Sequence, residues 1–178
     1  MSGSQALREI FRVGTSAGGA QAKAIVGWNP KTDEFCIPQY GLPDGFENWM
    51  VKVTPDERPY LGRAEYRTYE LARACGVDIS ESRLYTLDGK EHFMTRRFDR
   101  DGEKRHHILT FRAMRTLPPD VSLEMNSYGQ LFATMAELRL GYDEFEQMFR
   151  RMAFNVYADE TDDHSKNFSF IMKEGGGW

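Results

Sequence analysis

Thr161-Asp162-Asp163-His164-Ser165-Lys166-Asn167 sets two carboxylates, an imidazole, an ammonium and an amide between two apolar segments. Upstream, Asp143 to Val156 carries Phe145, Met148, Phe149, Met152 and Val156 at three- and four-residue spacing, which predicts a helix with that face buried. Downstream, Phe168 to Met172 predicts a strand. The polar run is therefore a loop held by core on both sides. Phosphoryl-transfer enzymes place there the carboxylate that orients a hydroxyl and the amide that ligates a metal. On this reading Asp162 takes or orients the attacking hydroxyl's proton, Asn167 ligates Mg²⁺, and Lys166 neutralises charge on the transferring group. His164, alone beside carboxylates, reads more readily as a hydrogen-bonded organiser of the loop than as a catalyst.

Before this segment the chain changes character. Leu7 to Val13, Ala22 to Trp28, Asp33 to Ile37 and Trp49 to Val53 read as short strands. Asn29-Pro30, Gly41, Pro43-Asp44-Gly45 and Pro55 punctuate them, which suits an antiparallel sheet. Tyr60 to Gly76 predicts a helix with Leu61, Ala64, Thr68, Leu71, Ala72 and Cys75 on one side and Gly76 as its stop. Ser82 to Leu87 and His92 to Phe98 are strands joined by Asp88-Gly89, a dipeptide that favours a tight hairpin. Past the Asp99 to Gly102 turn the pattern becomes helical. Ser127 with Gln130 makes a capping box ahead of inward Leu131, Phe132, Met135 and Leu138, and Asp143 with Glu146 opens the next helix. The expected architecture is α+β and bilobal: a β-rich lobe with one helix over 1–98, and a partial helical lobe over 99–178.

Other candidate groups lie in the β-rich part. Lys52, between Val51 and Val53, shares a strand face with Met50, and an ammonium on an apolar face needs a partner. Glu65 is placed by helical spacing on the inward side of its helix, and Glu70 is not. Kinases hold the α- and β-phosphates with such a lysine and glutamate; the plainer reading is a lysine snorkelling at a sheet edge and a solvated glutamate. Gly14 to Gln21 joins two strand candidates through small residues whose amides can converge on an anion. It has neither the P-loop nor the dinucleotide glycine pattern, so a simple hairpin turn is an equal reading. Arg96-Arg97-Phe98-Asp99-Arg100 ends a strand at the junction of the two halves, where backbone groups could meet an adenine and Asp99 a ribose. Taken alone, Asp99 is more often just a turn former. The Asp99-x-Asp101-Gly102 spacing lacks the later ligands of a calcium loop.

Composition excludes several classes. The 178 residues are 40% apolar and 28% charged, enough for one core or two small lobes. A net charge of -4 and the lack of a long Lys/Arg stripe argue against direct nucleic-acid binding. Cys36 and Cys75 form no C-x-x-C pair, so neither a zinc site nor a redox dithiol is indicated. No run approaches ~18 consecutive apolar residues and no signal-peptide pattern opens the chain, so the expectation is a cytoplasmic protein outside the membrane.

Taken together, these residues resemble the HipA family of bacterial toxin kinases. The likeness rests on Thr15-Ser16-Ala17-Gly18-Gly19-Ala20-Gln21-Ala22-Lys23, Val51-Lys52-Val53, Glu65-Tyr66 followed by Leu71-Ala72-Arg73, Arg97-Phe98-Asp99-Arg100, and Asp162-Asp163-His164-Ser165-Lys166-Asn167. It implies a bilobal protein-kinase-like fold using ATP and Mg²⁺. Asp162 then matches the catalytic aspartate, Asn167 a metal ligand, Lys52 the nucleotide lysine, and Arg96 to Phe98 the adenine hinge. His164 and Lys166 match positions lining the nucleotide site. Ser16 falls where family members autophosphorylate and switch off, which suits the repulsion a phosphorylated loop would exert on nucleotide phosphates. The resemblance further implies a serine or threonine of an aminoacyl-tRNA synthetase as target and a HipB-like antitoxin as partner.

Two departures shape the expectation. The family continues past this loop into a return strand with a second metal-binding aspartate and a further helical lobe, and it carries an extra N-terminal subdomain. This chain ends at Gly175-Gly176-Gly177-Trp178, which leaves Phe168 to Met172 as half a hairpin with an unpaired edge. The expectation is therefore an incomplete kinase core with weak ATP binding and little transfer. The alternative is a non-catalytic kinase remnant that binds an antitoxin or a partner chain. A metal-dependent phosphohydrolase built on Asp162, Asp163 and His164 is a third reading, with His106-His107 as the only other histidine group.

Overall fold

The computed structural model describes residues 3–13, 21–117, 127–172 and 174–178. Ser16, Ala17, Gly18, Gly19 and Ala20 of the expected phosphate loop lie outside the described residues. The chain forms two compact units, Met1–Arg73 with Ile79–Arg105, and Ala74–Asp78 with His106–Trp178.

In the first unit, α1 (Gly3–Val13) precedes β1 (Lys23–Asn29), β2 (Glu34–Cys36), β3 (Glu47–Lys52), α2 (Leu61–Ala74), β4 (Ser82–Leu87) and β5 (Lys90–Arg96). The five strands form one sheet in the order β2-β1-β3-β5-β4, every pair antiparallel. The β4–β5 hairpin turns at Asp88 (φ 52°) and Gly89 (φ 76°), the two left-handed residues that a tight primed turn requires. A small hairpin, β6 (Arg100–Asp101) with β7 (Lys104–Arg105), closes the unit.

Strand alternation divides this sheet into two faces. Ala24, Val26, Trp28, Trp49, Val51 and Met94 meet Leu7 and Ile10 of α1 in one core. The strand expected over Leu7 to Val13 is thus wrong: the segment is the end of a helix. Leu7, Ile10 and Phe11 are three and four apart, and Leu7 and Ile10 are 0% and 3% exposed. That spacing fits a helix laid on a sheet, and the β-type run from Ile10 to Val13 concealed it.

The buried residues of α2 are Gly62, Tyr69 and Ala72. This stripe is rotated from the expected one: Ala64, Thr68 and Cys75 are exposed, and Leu71 is 60% exposed. A glycine accommodates this face, because a Cβ at Gly62 would stand 2.2 Å from Glu91 O.

The second unit contains β8 (Ile108–Thr110), α3 (Phe111–Met114), α4 (Tyr128–Glu137), α5 (Tyr142–Tyr157) and β9 (Ser169–Ile171). Its core gathers Phe111, Leu117, Leu131, Met135, Met148 and Phe170. The cap of α4 is as expected, Ser127 Oγ accepting from Gln130 N at 3.3 Å. That of α5 is not. Gly141 is its N-cap, with no side-chain bond, and Asp143 and Glu144 sit in the first turn where the helix dipole favours acids. Phe149 and Val156, expected inward, are 59% and 70% exposed. The apolar strand after the polar loop is β9, and one of its edges is paired antiparallel with β8 rather than left open. No described helix is long and apolar enough to cross a membrane.

Candidate active site

Lys52 ends β3 on the face opposite the Trp49–Val51 core, cross-strand from Phe93. Its ammonium lies 5.6 Å from the Phe93 ring centroid and 2.7 Å from Glu65 Oε2. The Lys52 and Glu65 side chains are 30% and 20% exposed. Among the described residues Glu65 Oε2 makes no hydrogen bond, so the contact with Lys52 is an ion pair. A partly desolvated ammonium with one carboxylate partner is suited to accept a second anion.

Close by, Gln21 Nε2 donates to Val53 O at 3.3 Å, tying the start of β1 to the end of β3. At the far end of β5, Arg96 Nη2 lies 3.6 Å from Glu47, Arg97 N donates to Asn48 O, and Phe98 is 64% exposed. Asp99 is buried and held by Arg97, whose Nε donates to Oδ1 at 2.8 Å, and by Arg100. Burial pushes its carboxyl up, but the Arg97 hydrogen bond and the two guanidinium charges outweigh this and hold it below its ordinary value. Both Asp99 oxygens are engaged, so the structure uses this residue to fix the turn after β5.

In the second unit the loop between α5 and β9 is anchored from several sides. Ser165 is 2% exposed and its carbonyl accepts from Arg112 N at 3.1 Å. Asp163 Oδ2 accepts from Tyr128 Oη at 2.6 Å, and Tyr128 Oη accepts from Asn155 Nδ2 at 2.9 Å. Burial first, then the bond to Asp163, pushes the Tyr128 hydroxyl up to about 12.

The paired acids therefore divide their work. Asp163 is committed to the fold, while the Asp162 side chain is 79% exposed. Asp162 instead organises the loop through its backbone: its carbonyl accepts from His164 N at 2.9 Å and from Asn167 Nδ2, and its N–H donates to Glu160 at 2.8 Å. His164 Nδ1 accepts from Lys166 N at 3.3 Å and its Nε2 lies 3.4 Å from Asp162 Oδ1, so the ring braces the loop from within. Lys166 is exposed.

Asn167 donates its amide nitrogen to the loop, which leaves Oδ1 to offer a cation. An amide oxygen is a hard donor of the kind Mg²⁺ prefers, and a metal held there would bring its remaining ligands from water and phosphate. No group of three or more His, Cys, Asp or Glu side chains converges among the described residues. Asp163, turned to Tyr128, accordingly does not complete a phosphohydrolase shell with Asp162 and His164.

The model of the HipA-like C-terminal domain matches residues 15–178. The chain belongs to that family. A Haemophilus influenzae protein named "Putative kinase" is 27% identical over 166 residues, covering 85% of this chain and 48% of the relative. "Putative kinase Y4dM" of Sinorhizobium fredii is 25% identical over 139 residues, 71% of this chain and 34% of that protein. The chain thus spans about half or less of the curated relatives it matches.

The fold agrees with the family. HipA of the Shewanella oneidensis MR-1 toxin–antitoxin system, solved with HipB and its operator DNA, superposes with a TM-score of 0.63 at 22% identity, over 92% of this chain and 42% of that one. The Helicobacter pylori proinflammatory kinase CtkA gives 0.51 at 16% identity, over 88% of this chain and 50% of that one. The architecture is α+β and kinase-like.

Within this HipA-like domain, the sequence reading missed Tyr128, Asn155, Thr54 and His92. Tyr128 stands 35 positions before the Asp163 it holds, and Asn155 acts on the loop through Tyr128. A tyrosine directly after a helix-capping serine and an asparagine late in an apolar helix are the only local signals they give.

Proposed function

We propose that this HipA-like domain is a kinase core that binds ATP with Mg²⁺ and directs the γ-phosphate to a serine or threonine hydroxyl of a protein. The Lys52–Glu65 ion pair carries the reading: a strand lysine held by a helix glutamate is what kinases need before the phosphates can be gripped. In the first unit, Lys52 contacts the phosphates and the backbone of Arg96, Arg97 and Phe98 meets the adenine. In the second, Asp162 orients the attacking hydroxyl, Lys166 offsets charge on the transferring group, and Asn167 holds the metal, with His164 keeping the loop in shape. Bound Mg²⁺ would neutralise phosphate charge. The loop of Ser16, Ala17, Gly18, Gly19, Ala20 and Gln21 belongs to the same proposal as the cover over the phosphates, with Ser16 its site of modification.

The Asp162 carboxylate, 79% exposed with His164 Nε2 at 3.4 Å, supports the assignment, since a catalytic acid must stay accessible to substrate. The target by resemblance is an aminoacyl-tRNA synthetase in the cytoplasm. A HipB-like antitoxin is the proposed partner, in keeping with the HipB present beside the Shewanella HipA.

The test is transfer of labelled γ-phosphate from ATP to a serine-containing acceptor by the wild-type chain and by Asp162→Asn. Asp162 is solvent-facing, so the variant should fold normally and lose transfer by several orders of magnitude relative to wild type. Equal transfer by both proteins would contradict the role of Asp162. ATP binding without transfer in the wild type would favour the non-catalytic module.

A further inference from the structure

We infer that Gly62, Thr54 and His92 form a positioning node that seats α2 on β5 beside the end of β3 and thereby keeps Glu65 on Lys52. Gly62 makes the closest approach. A Cβ at this position would stand 2.2 Å from Glu91 O and 2.7 Å from Thr54 Oγ1, so the helix backbone rests directly on β5 and only glycine allows it.

Thr54 supplies the second element. It is 2% exposed; its Oγ1 donates to Glu91 O at 2.7 Å and its N–H donates to His92 Nδ1 at 3.0 Å. The chain leaving β3 is thus stitched to β5 through the N–H and the hydroxyl of one residue. His92, 4% exposed, must keep Nδ1 unprotonated to accept that bond, and its ring is fixed edge-on to Phe11 at 5.4 Å between centroids. At the rim, Arg63 bonds Glu91 through Nε at 2.7 Å and Nη2 at 2.5 Å, and Lys90 pairs with Asp56.

The node acts on the ion pair through geometry. Gly62 and Glu65 are three residues apart on one helix face, and Lys52 and Thr54 are two apart on one extended segment. The segments that carry the two charges are the segments the node joins. A partly exposed ion pair contributes too little to seat a helix unaided, whereas a backbone contact with buried, satisfied polar groups holds it in one place. Gly62, Thr54 and His92 are positioning residues: none touches a phosphate, and each acts through Glu65.

The experiment is competitive acetylation of lysines in the full chain, read by mass spectrometry, with exposed Lys31 as internal reference. It compares wild type, Gly62→Ala, Thr54→Val, Thr54→Ser, and Glu65→Gln, which marks the freed state. Circular dichroism confirms that each variant is folded. The inference predicts that Lys52 labels severalfold faster in Gly62→Ala and Thr54→Val, approaching Glu65→Gln, and that Thr54→Ser restores the wild-type rate. Should Gly62→Ala prove unfolded, the Thr54 pair decides alone. Wild-type labelling of Lys52 in folded Gly62→Ala or Thr54→Val would overturn the inference. The functional meaning of the node rests on the proposed nucleotide site, so the series is repeated with Mg·ATP. Absence of protection of Lys52 in the wild type would count against the nucleotide reading and leave the node standing.

Discussion

Tyr128 Oη donates to Asp163 Oδ2 across 2.6 Å, joining the first residue of α4 to a loop 35 positions later. This bond separates the two adjacent acids into a structural one and a solvent-facing one. Removing the hydroxyl in Tyr128→Phe leaves the Asp163 carboxylate and the Asn155 amide each short of a partner. The expected cost is about 1–2 kcal/mol of unfolding free energy, with phosphate transfer falling more than ATP affinity. Denaturant titration and paired binding and transfer assays check this.

The same hydroxyl predicts behaviour in alkali. Its folded value of about 12 lies above the ordinary 10.0, so the folded state retains the proton that the unfolded state gives up. The stability tied to this group is complete below about pH 10 and is lost as pH rises toward about 12. Spectrophotometric titration should show a late tyrosinate that is absent in Tyr128→Phe.

His92 predicts the opposite limit. Burial, then the charge of Lys90, lower its value below the ordinary 6.5, and Asp88 offsets this only in part. Between the folded value and about 6.5 the unfolded chain binds more protons, so stability falls as pH drops through that window and is flat above it. Thermal midpoints measured from about pH 8 down to about pH 5 should show the decline, and His92→Asn, which retains an acceptor for Thr54 N, should flatten it.

The assignment of α1 is testable by truncating its buried face. Leu7 is 0% exposed in the sheet core, so Leu7→Ala should cost about 2–5 kcal/mol. Phe149→Ser on the exposed side of α5 should stay within about 0.5 kcal/mol of wild type. Equilibrium unfolding of both variants decides the point.

The legible parts of this chain are those where a local pattern has one physical solution. Asp88-Gly89 permits a primed turn, and the β4–β5 hairpin follows. Lys52 was legible because an ammonium on an apolar strand face demands an anion, and Glu65 stands 2.7 Å from it. The spacing argument for Glu65 leaned on Thr68, which is exposed, so the helix face was read rotated from the one that packs.

Other features depend on contacts between distant segments. Ile108 to Thr110 is too short to announce a strand until β9 lies beside it. The inward stripe of α2 includes Gly62, whose importance lies in the missing Cβ and in a carbonyl 29 positions ahead of it, at Glu91. Asp163 looks like a twin of Asp162 until Tyr128 is placed against it. At α5, Asp143 and Glu146 satisfy a capping pattern, but the cap lies two residues earlier, at Gly141 in the extended conformation.

The proposed function stands or falls on whether Lys52, paired with Glu65, grips the phosphates of a magnesium-bound nucleotide. Isothermal titration of Mg·ATP into wild type, Lys52→Met and Glu65→Gln measures this. Saturable binding by the wild type is expected, weakened about tenfold or more by either substitution, the equivalent of about 1.4 kcal/mol. Wild-type affinity that neither substitution alters, or no binding at all, would refute it.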